Sequence, residues 1–293
     1  MRILVVGADG LIGQALSSEL GRRGHDVIRT TRRLQDPLQE NLVFLDLAAD
    51  QLGPVPSADV MVICAAMASF SDCRNRFDLA HRINVEARLE LARRAVADGG
   101  RVVALSSSVV FDCLQPRAEA TWKPAPRSAY GRLMAESEAC ILECGGSVLR
   151  TTKAMVAGIG VLPGWIRTLR GGGSVRAFED HTFCPLPLRD VVDALVAVVE
   201  QPEGGIFQVS GATDISYADA ARYIVGRVGM PRDRVTAVRA VDSGIPESDV
   251  TPYTSLDTSR LSELTGFQPP PPGAVIDAVY RGILIGNEAR LDV

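Results

Sequence analysis

Val5-Val6-Gly7-Ala8-Asp9-Gly10-Leu11-Ile12-Gly13 lies almost at the start of a chain of 293 residues, and its reading decides the fold. Upstream, Ile3 to Val6 is an unbroken apolar run without polar alternation, the pattern of a strand buried on both faces of a parallel sheet. From Leu11 the spacing turns helical, with Leu11, Ala15, Leu16 and Leu20 on one side and Gln14, Ser17, Ser18 and Arg22 on the other. Gly7, Gly10 and Gly13 stand between strand and helix. Glycine there permits a tight turn, close approach of backbone to a phosphate and close packing of helix on strand. Amides at the helix N-terminus would face a pyrophosphate. Because a second strand follows at Asp26 to Thr30, the motif sits in the strand, turn, helix, strand context of a dinucleotide site. The expected cofactor contacts here are Gly7, Asp9, Gly10, Leu11, Ile12 and Gly13.

Composition narrows the class. With 31 basic and 35 acidic residues the net charge is −4, and the charges are interspersed. Neither nucleic acid nor an anionic membrane is expected as a partner. No basic-then-apolar leader and no apolar run of spanning length is present, so the expected location is the cytoplasm. Six scattered cysteines without a CxxC pair, and three histidines at 25, 81 and 181, predict no metal.

Further along, Thr30, Thr31, Arg32 and Arg33 follow the second strand where an NAD site places an acid on the ribose. Forked guanidinium donors suit a 2′-phosphate, so NADP(H) is expected over NAD(H), held by Thr31, Arg32 and Arg33. Leu42 to Leu45 reads as a third strand ending at Asp46-Leu47, placed to border an adenine. A fourth, Asp59 to Cys64, runs into Ala65 and Ala66, small enough for a cofactor backbone to pass. A long helix is expected from about Arg76 to Asp98, with Leu79, Ile83, Ala87 and Leu91 inward and Asn84 as a buried structural amide. Arg101 to Leu105 delivers Ser106, Ser107 and Ser108 at its carboxyl end, where open α/β sheets hold their ligands. After a proline-rich loop at 116 to 126, Ser128-Ala129-Tyr130 opens a helix ended by Gly145-Gly146. Ser147 to Arg150 is a sixth strand, and Lys153 follows it.

Gly7-xx-Gly10-xx-Gly13, Cys64-Ala65-Ala66, Asn84-Val85-Glu86, the serine-bearing strand and Tyr130-Gly131 together resemble the extended short-chain dehydrogenase/reductase superfamily. Ser106 to Asp112 and Phe207 to Gly211 look most like the dTDP-4-dehydrorhamnose reductase group. The resemblance is strong to about residue 152 and loose beyond it. It implies an α/β fold, a doubly wound parallel Rossmann sheet with a smaller C-terminal substrate-binding cap. The expected division is a core of residues 1–152, joined by 178–203, and a small part made of 153–177 and 204–293. It also implies a nucleotide-sugar substrate and a homodimer formed through the helices of Asn84 and Tyr130.

In that family a Ser or Thr and a Tyr hold the reacting oxygen, and a Lys four residues after the Tyr lowers its pKa. Free tyrosine titrates near ~10, so a neighbouring cation is what makes it useful near neutral pH. Ser107 and Tyr130 match the pair. Position 134 is methionine, which carries no charge. Lys153, one of only two lysines, is the candidate to approach Tyr130 or the nicotinamide from the other side. The expectation is an NADP-dependent reductase of a sugar keto group, with Ser107, Tyr130 and Lys153 catalytic and Tyr130 also a cofactor contact beside Cys64, Ala65 and Ala66. Two alternatives stand beside it: a non-catalytic NADP-binding sensor or regulatory subunit, and a nucleotide-sugar epimerase or dehydratase. Asp180, His181 and Arg189 are placed where cap loops meet the core, Arg189 as a structural group.

Overall fold

In the computed structural model, which describes residues 1–33 and 41–285, the apolar run at the N-terminus forms β1 (Arg2–Val6), and Ile3 to Val6 are at most 1% exposed. The glycine turn leads into α1 (Leu11–Arg22) and then β2 (Asp26–Thr31), β3 (Leu42–Phe44) and β4 (Val60–Ile63). Next come α2 (Phe70–Asn75), α3 (Phe77–His81), a π-helical turn Arg82–Glu86 and α4 (Ala87–Ala97). They lead to β5 (Arg101–Ser107), α5 (Ala129–Glu143) and β6 (Ser147–Thr151).

Alternate residues of each strand go to opposite faces. Ile3 and Val5 join Leu16 and Leu20 of α1 on one side, whereas Leu4 and Val6 join Leu91 and Ala92 of α4 and Ile141 of α5 on the other. Each such leucine, fully buried, contributes about 1.5–3 kcal/mol of transfer free energy. Two apolar faces on every strand therefore demand two helical layers, and the doubly wound architecture follows.

The long helix expected from about Arg76 to Asp98 is helical throughout residues 77–97, with a π-helical turn at Arg82–Glu86 inside it. Asn84 sits in that turn. Its side chain is fully buried, with Oδ1 accepting from Met67 N at 2.8 Å and Nδ2 donating to Met67 O at 2.9 Å. These bonds tie the helix to the loop after β4, and the backbone accommodates them with a π-helical turn, a distortion common at functional sites.

The remaining elements are β7 (Lys153–Met155), α6 (Val161–Arg170), β8 (Val175–Phe178), β9 (Thr182–Phe183), β10 (Pro185–Pro187), α7 (Leu188–Glu200) and β11 (Gly205–Val209). They are followed by β12 (Ile215–Ser216), α8 (Tyr217–Val228), β13 (Val235–Val238), α9 (Ser259–Thr265) and α10 (Pro272–Leu284). The central sheet has seven parallel strands in the order β11-β6-β5-β4-β1-β2-β3. Its order reverses between β1 and β4, the crevice where open α/β sheets bind ligands.

One strand lies elsewhere than its sequence placement. Residues 204–293 were expected in the small part, yet β11 pairs with β6 in full register, Phe207 against Leu149 and Val209 against Thr151. Phe207 and Val209 are buried in the same apolar cluster as α7, so this strand completes the sheet rather than the cap. Residues 286–293 of that segment lie outside the described residues. A separate cluster made by α6, α8 and α10 with Val175, Ala177 and Phe183 holds the smaller lobe together. Among the described residues no helix is long and apolar enough to cross a membrane.

Candidate active site and cofactor cradle

The glycine turn leaves room for nothing larger. Gly7 has φ +89°, and a Cβ on it would lie 2.7 Å from Ala65 N. On Gly13 it would lie 2.3 Å from Gly7 O. A side chain at either place would push β1, the turn and the end of β4 apart. The chain thus spends two positions on backbone closeness where a phosphate-bearing ligand needs it. Leu11 and Ile12 pack against the core, while Ala66 beyond β4 is exposed. These residues fit a dinucleotide.

At the end of β2 the expected basic group is present with an acid among it. Asp9 Oδ2 accepts from Thr31 Oγ1 at 2.7 Å and from Arg32 N at 3.3 Å, and Thr31 Oγ1 in turn accepts from Arg33 N at 3.0 Å. Asp9 therefore ties the glycine turn to β2. Arg33 lines a cavity of about 500 Å³ with Asp9, Gln14 and Arg29, the last a residue the sequence reading did not include. Of the pair after β3, Leu47 is buried in the core and Asp46 Oδ1 caps Ala48 N at 3.0 Å.

A second cavity, of about 410 Å³, opens between the sheet and the small lobe. Its sheet side is formed by Ser107, Ser108, Thr152 and Lys153, and its lobe side by His181, Tyr217 and Thr251. Ser107 is the last residue of β5, so its hydroxyl leaves the sheet at the carboxyl edge. Tyr130 is held on the first turn of α5, capped by Ser128 Oγ, which accepts from Gly131 N at 3.0 Å. The Tyr130 ring lies against Phe70, with centroids 5.8 Å apart. Burial pushes the Tyr130 hydroxyl up to about 12; Arg88 and a hydrogen bond from Ser107 oppose the rise, while Cys73 and Glu138 add to it. At neutral pH this phenol keeps its proton.

The lysine sits where the cavity is, but not beside this tyrosine. Lys153 Nζ donates to Tyr217 Oη at 3.1 Å and lies 5.6 Å from the centre of that ring. The expected approach of Lys153 to Tyr130 is therefore corrected in its partner: Lys153 extends from β7 toward the lobe, and the charge that favours ionisation of Tyr130 is Arg88. Met134 is 1% exposed and packs with Val110, Phe111 and Leu256. Arg189 is solvent-facing and pairs with Asp193 at 3.5 Å, and Asp180 caps Ala240 N at 2.8 Å. Among the described residues no cluster of ligating side chains could hold a metal ion.

His181 and Tyr217 form the lobe wall as a stacked pair, with ring centroids 5.3 Å apart at 15°. Thr251 N donates to His181 Nδ1 at 3.0 Å, which leaves the proton of the neutral ring on Nε2. Burial, with Lys153 nearby, lowers the His181 pKa below 6.5; Asp180 and Asp249 pull it back. A lowered folded value means the unfolded chain takes up this proton first, so stability is complete above about 6.5 and falls as pH drops from there to the folded value. We expect the melting temperature to decline across that acid limb, and the decline to flatten in His181→Gln.

A glycine turn at the sheet reversal, a serine and tyrosine at the carboxyl edge and a lobe-roofed cavity define a protein of Rossmann-type α/β fold. The chain belongs to the RmlD substrate binding domain family, whose model matches residues 1–281. It is 26% identical to the dTDP-4-dehydrorhamnose reductase of Mycobacterium tuberculosis over 278 residues, covering 92% of this chain and 88% of the relative. It is 33% identical over 284 residues to methionine adenosyltransferase 2 subunit beta of Pongo abelii, covering 90% and 82%. A crystal structure of Bacillus anthracis dTDP-4-dehydrorhamnose reductase in complex with NADP superposes with a TM-score of 0.77 at 19% identity, over 96% of this chain and 98% of that one.

Proposed function

We propose that this protein is an NADP-dependent reductase of a keto group on a nucleotide-activated sugar. The observation that carries the reading is Tyr130: a desolvated phenol, protonated at neutral pH, hydrogen-bonded by Ser107, which itself lines the cavity. A phenol held up at about 12 is suited to giving a proton and poorly suited to taking one, which favours reduction over the base chemistry of an epimerase or dehydratase.

When bound, the reduced nicotinamide supplies a hydride to the carbonyl carbon. Tyr130 Oη gives its proton to the carbonyl oxygen, and Ser107 Oγ holds that oxygen in place. Gly7, Gly10 and Gly13 make room for the pyrophosphate, with Leu11 and Ile12 opening the helix behind it. Arg33 and Arg29 favour a 2′-phosphate, and Thr31, Arg32 and Asp9 shape the turn around it. Cys64, Ala65 and Ala66 leave the passage beside β4 open, and Asp46 and Leu47 border the adenine side. Lys153, with Tyr217 and His181, faces the sugar nucleotide. The same reading carries a homodimer through α4 and the helices around it, where Phe77 and Val96 are left exposed.

A second reading, a regulatory NADP-binding subunit, is favoured by Met134 and by the 33% identity to methionine adenosyltransferase 2 subunit beta. One assay separates them. NADPH absorbance at 340 nm is followed with a panel of nucleotide-linked 4-keto sugars. We expect stoichiometric oxidation with one of them, faster with NADPH than with NADH. Cofactor binding without oxidation across the panel would give the regulatory reading precedence. Sugar conversion without net NADPH loss would point to an epimerase or dehydratase.

A further inference from the structure

Arg88, on α4, is 1% exposed and is among the largest fully buried side chains of the protein. Its Nη2 donates to Leu105 O at 2.7 Å, Nη1 lies 3.5 Å from Met134 Sδ, and Nε is buried with no partner. Among the described residues no carboxylate forms an ion pair with it. Glu138, the acid whose charge reaches it, is engaged by Arg150 at 2.7 Å and by Ser106 Oγ. A guanidinium stripped of water and left unpaired is costly, and packing alone does not account for one. Its surroundings do. Leu105 lies two residues before Ser107 on β5, and Met134 lies one helical turn after Tyr130 on α5, so the guanidinium bridges the strand of one reacting hydroxyl and the helix of the other.

We propose that Arg88 is the cation that serves Tyr130, reaching from α4 into the space beside Met134. The inference rests on the reading of Tyr130 as proton donor. When the O–H bond of Tyr130 breaks and its proton forms the new O–H bond on the substrate oxygen, the phenolate left behind is balanced by the charge of Arg88. Arg88 transfers nothing and stays protonated; solvent returns the proton to Tyr130. Arg88 is in this sense a positioning residue for charge. It completes the set acting on Tyr130: Arg88 from α4 and Ser107 from β5 favour ionisation, while Cys73 from α2 and Glu138 from α5 oppose it. The charge of Arg88 also acts on the Cys64 thiol after β4, against the burial that pushes it up. The arrangement gives Met134 a role as well. An ammonium at that position would place a second cation against the first, whereas a thioether accepts the guanidinium without repelling it.

The test reads Tyr130 directly, without turnover. The cofactor-free protein is prepared with fluorotyrosine in place of its five tyrosines, whose more acidic phenols bring the titration into a range the fold tolerates. Fluorine NMR follows each ring with pH, and the Tyr130 signal is the one absent from Tyr130→Phe. We expect Arg88→Leu to raise the Tyr130 midpoint by about one unit or more, the size of effect of removing an opposite charge within a few ångströms. The exchange Arg88→Leu with Met134→Lys should return the midpoint to its original place. An unchanged midpoint in Arg88→Leu would overturn the proposal. If Arg88→Leu does not fold, Arg88→Gln decides in its place: an upward shift of the midpoint supports the assignment and an unchanged midpoint overturns it. Because no substrate is present, absence of reductase activity would count against the proposed function and leave this result standing.

Discussion

Tyr130→Phe is expected to reduce turnover by about 10²–10⁴-fold, the range over which a positioned acid accelerates proton transfer. The substitution removes one oxygen and keeps the ring, so the contact with Phe70 at 5.8 Å and the packing beside Leu133 and Met134 stay in place. NADPH affinity should therefore change little, because the glycine turn and the β2 arginines are untouched. A drop in kcat with unchanged cofactor binding, measured by steady-state kinetics beside a fluorescence titration, is the expected pair of results. Turnover equal to wild type would remove Tyr130 from the chemistry. The effect is expected to be large because nothing else stands ready to replace the phenol: the Lys153 ammonium is directed at Tyr217, and the Arg88 guanidinium, although burial lowers its pKa, serves as a charge and not as an acid.

The order of legibility along the chain follows from the kind of signal each residue carries. β1, the glycine turn and α1 were readable because apolar periodicity and glycine spacing are local, and the local pattern matched the tertiary demand for burial on two faces. Strand β11 falls in the segment 204–293 that was given to the small part, since five residues of strand do not say which edge they pair with; only β6 decides that.

Arg88 was missed for a different reason. A charged residue on an amphipathic helix reads as solvent-facing, and the neighbouring Arg93 and Arg94 reinforce that impression. A signal was nevertheless present: Asn84, Arg88, Leu91 and Ala95 fall on one stripe at spacings of three and four. Once Asn84 is inward, Arg88 follows it. Lys153 was singled out by scarcity, and scarcity located the cavity correctly without identifying the partner. His181 and Tyr217 could not be paired from sequence, because their stacking joins the β8–β9 connection to the start of α8, with 35 residues of chain in between.

The largest stability effect is expected beneath the candidate site. Arg150 on β6 and Glu138 on α5 are 1% and 3% exposed in their side chains and form a buried pair at 2.7 Å. Arg150 Nη1 also donates to Gln208 Oε1 at 3.2 Å and its guanidinium lies 4.8 Å from the centre of the Phe111 ring, while Ser106 Oγ donates to Glu138. Glu138→Ala leaves this guanidinium without its counter-charge and should cost about 3–5 kcal/mol, a drop of roughly 10 °C in Tm for a chain of this size. Replacing both partners, Glu138→Leu with Arg150→Met, should recover most of that loss, because the penalty comes from the unpaired charge more than from the missing attraction. Differential scanning calorimetry of the three proteins checks both statements, and a loss below about 1 kcal/mol in Glu138→Ala would mean that water reaches the pair. The double variant carries the sharper consequence. Ser106 precedes Ser107 and Arg150 precedes Thr151 in sequence, so the network fixes the ends of β5 and β6 from which Ser107 and Thr152 enter the cavity. A protein that regains its melting temperature but not its turnover would establish that the buried charges hold the geometry of the site rather than the stability of the fold.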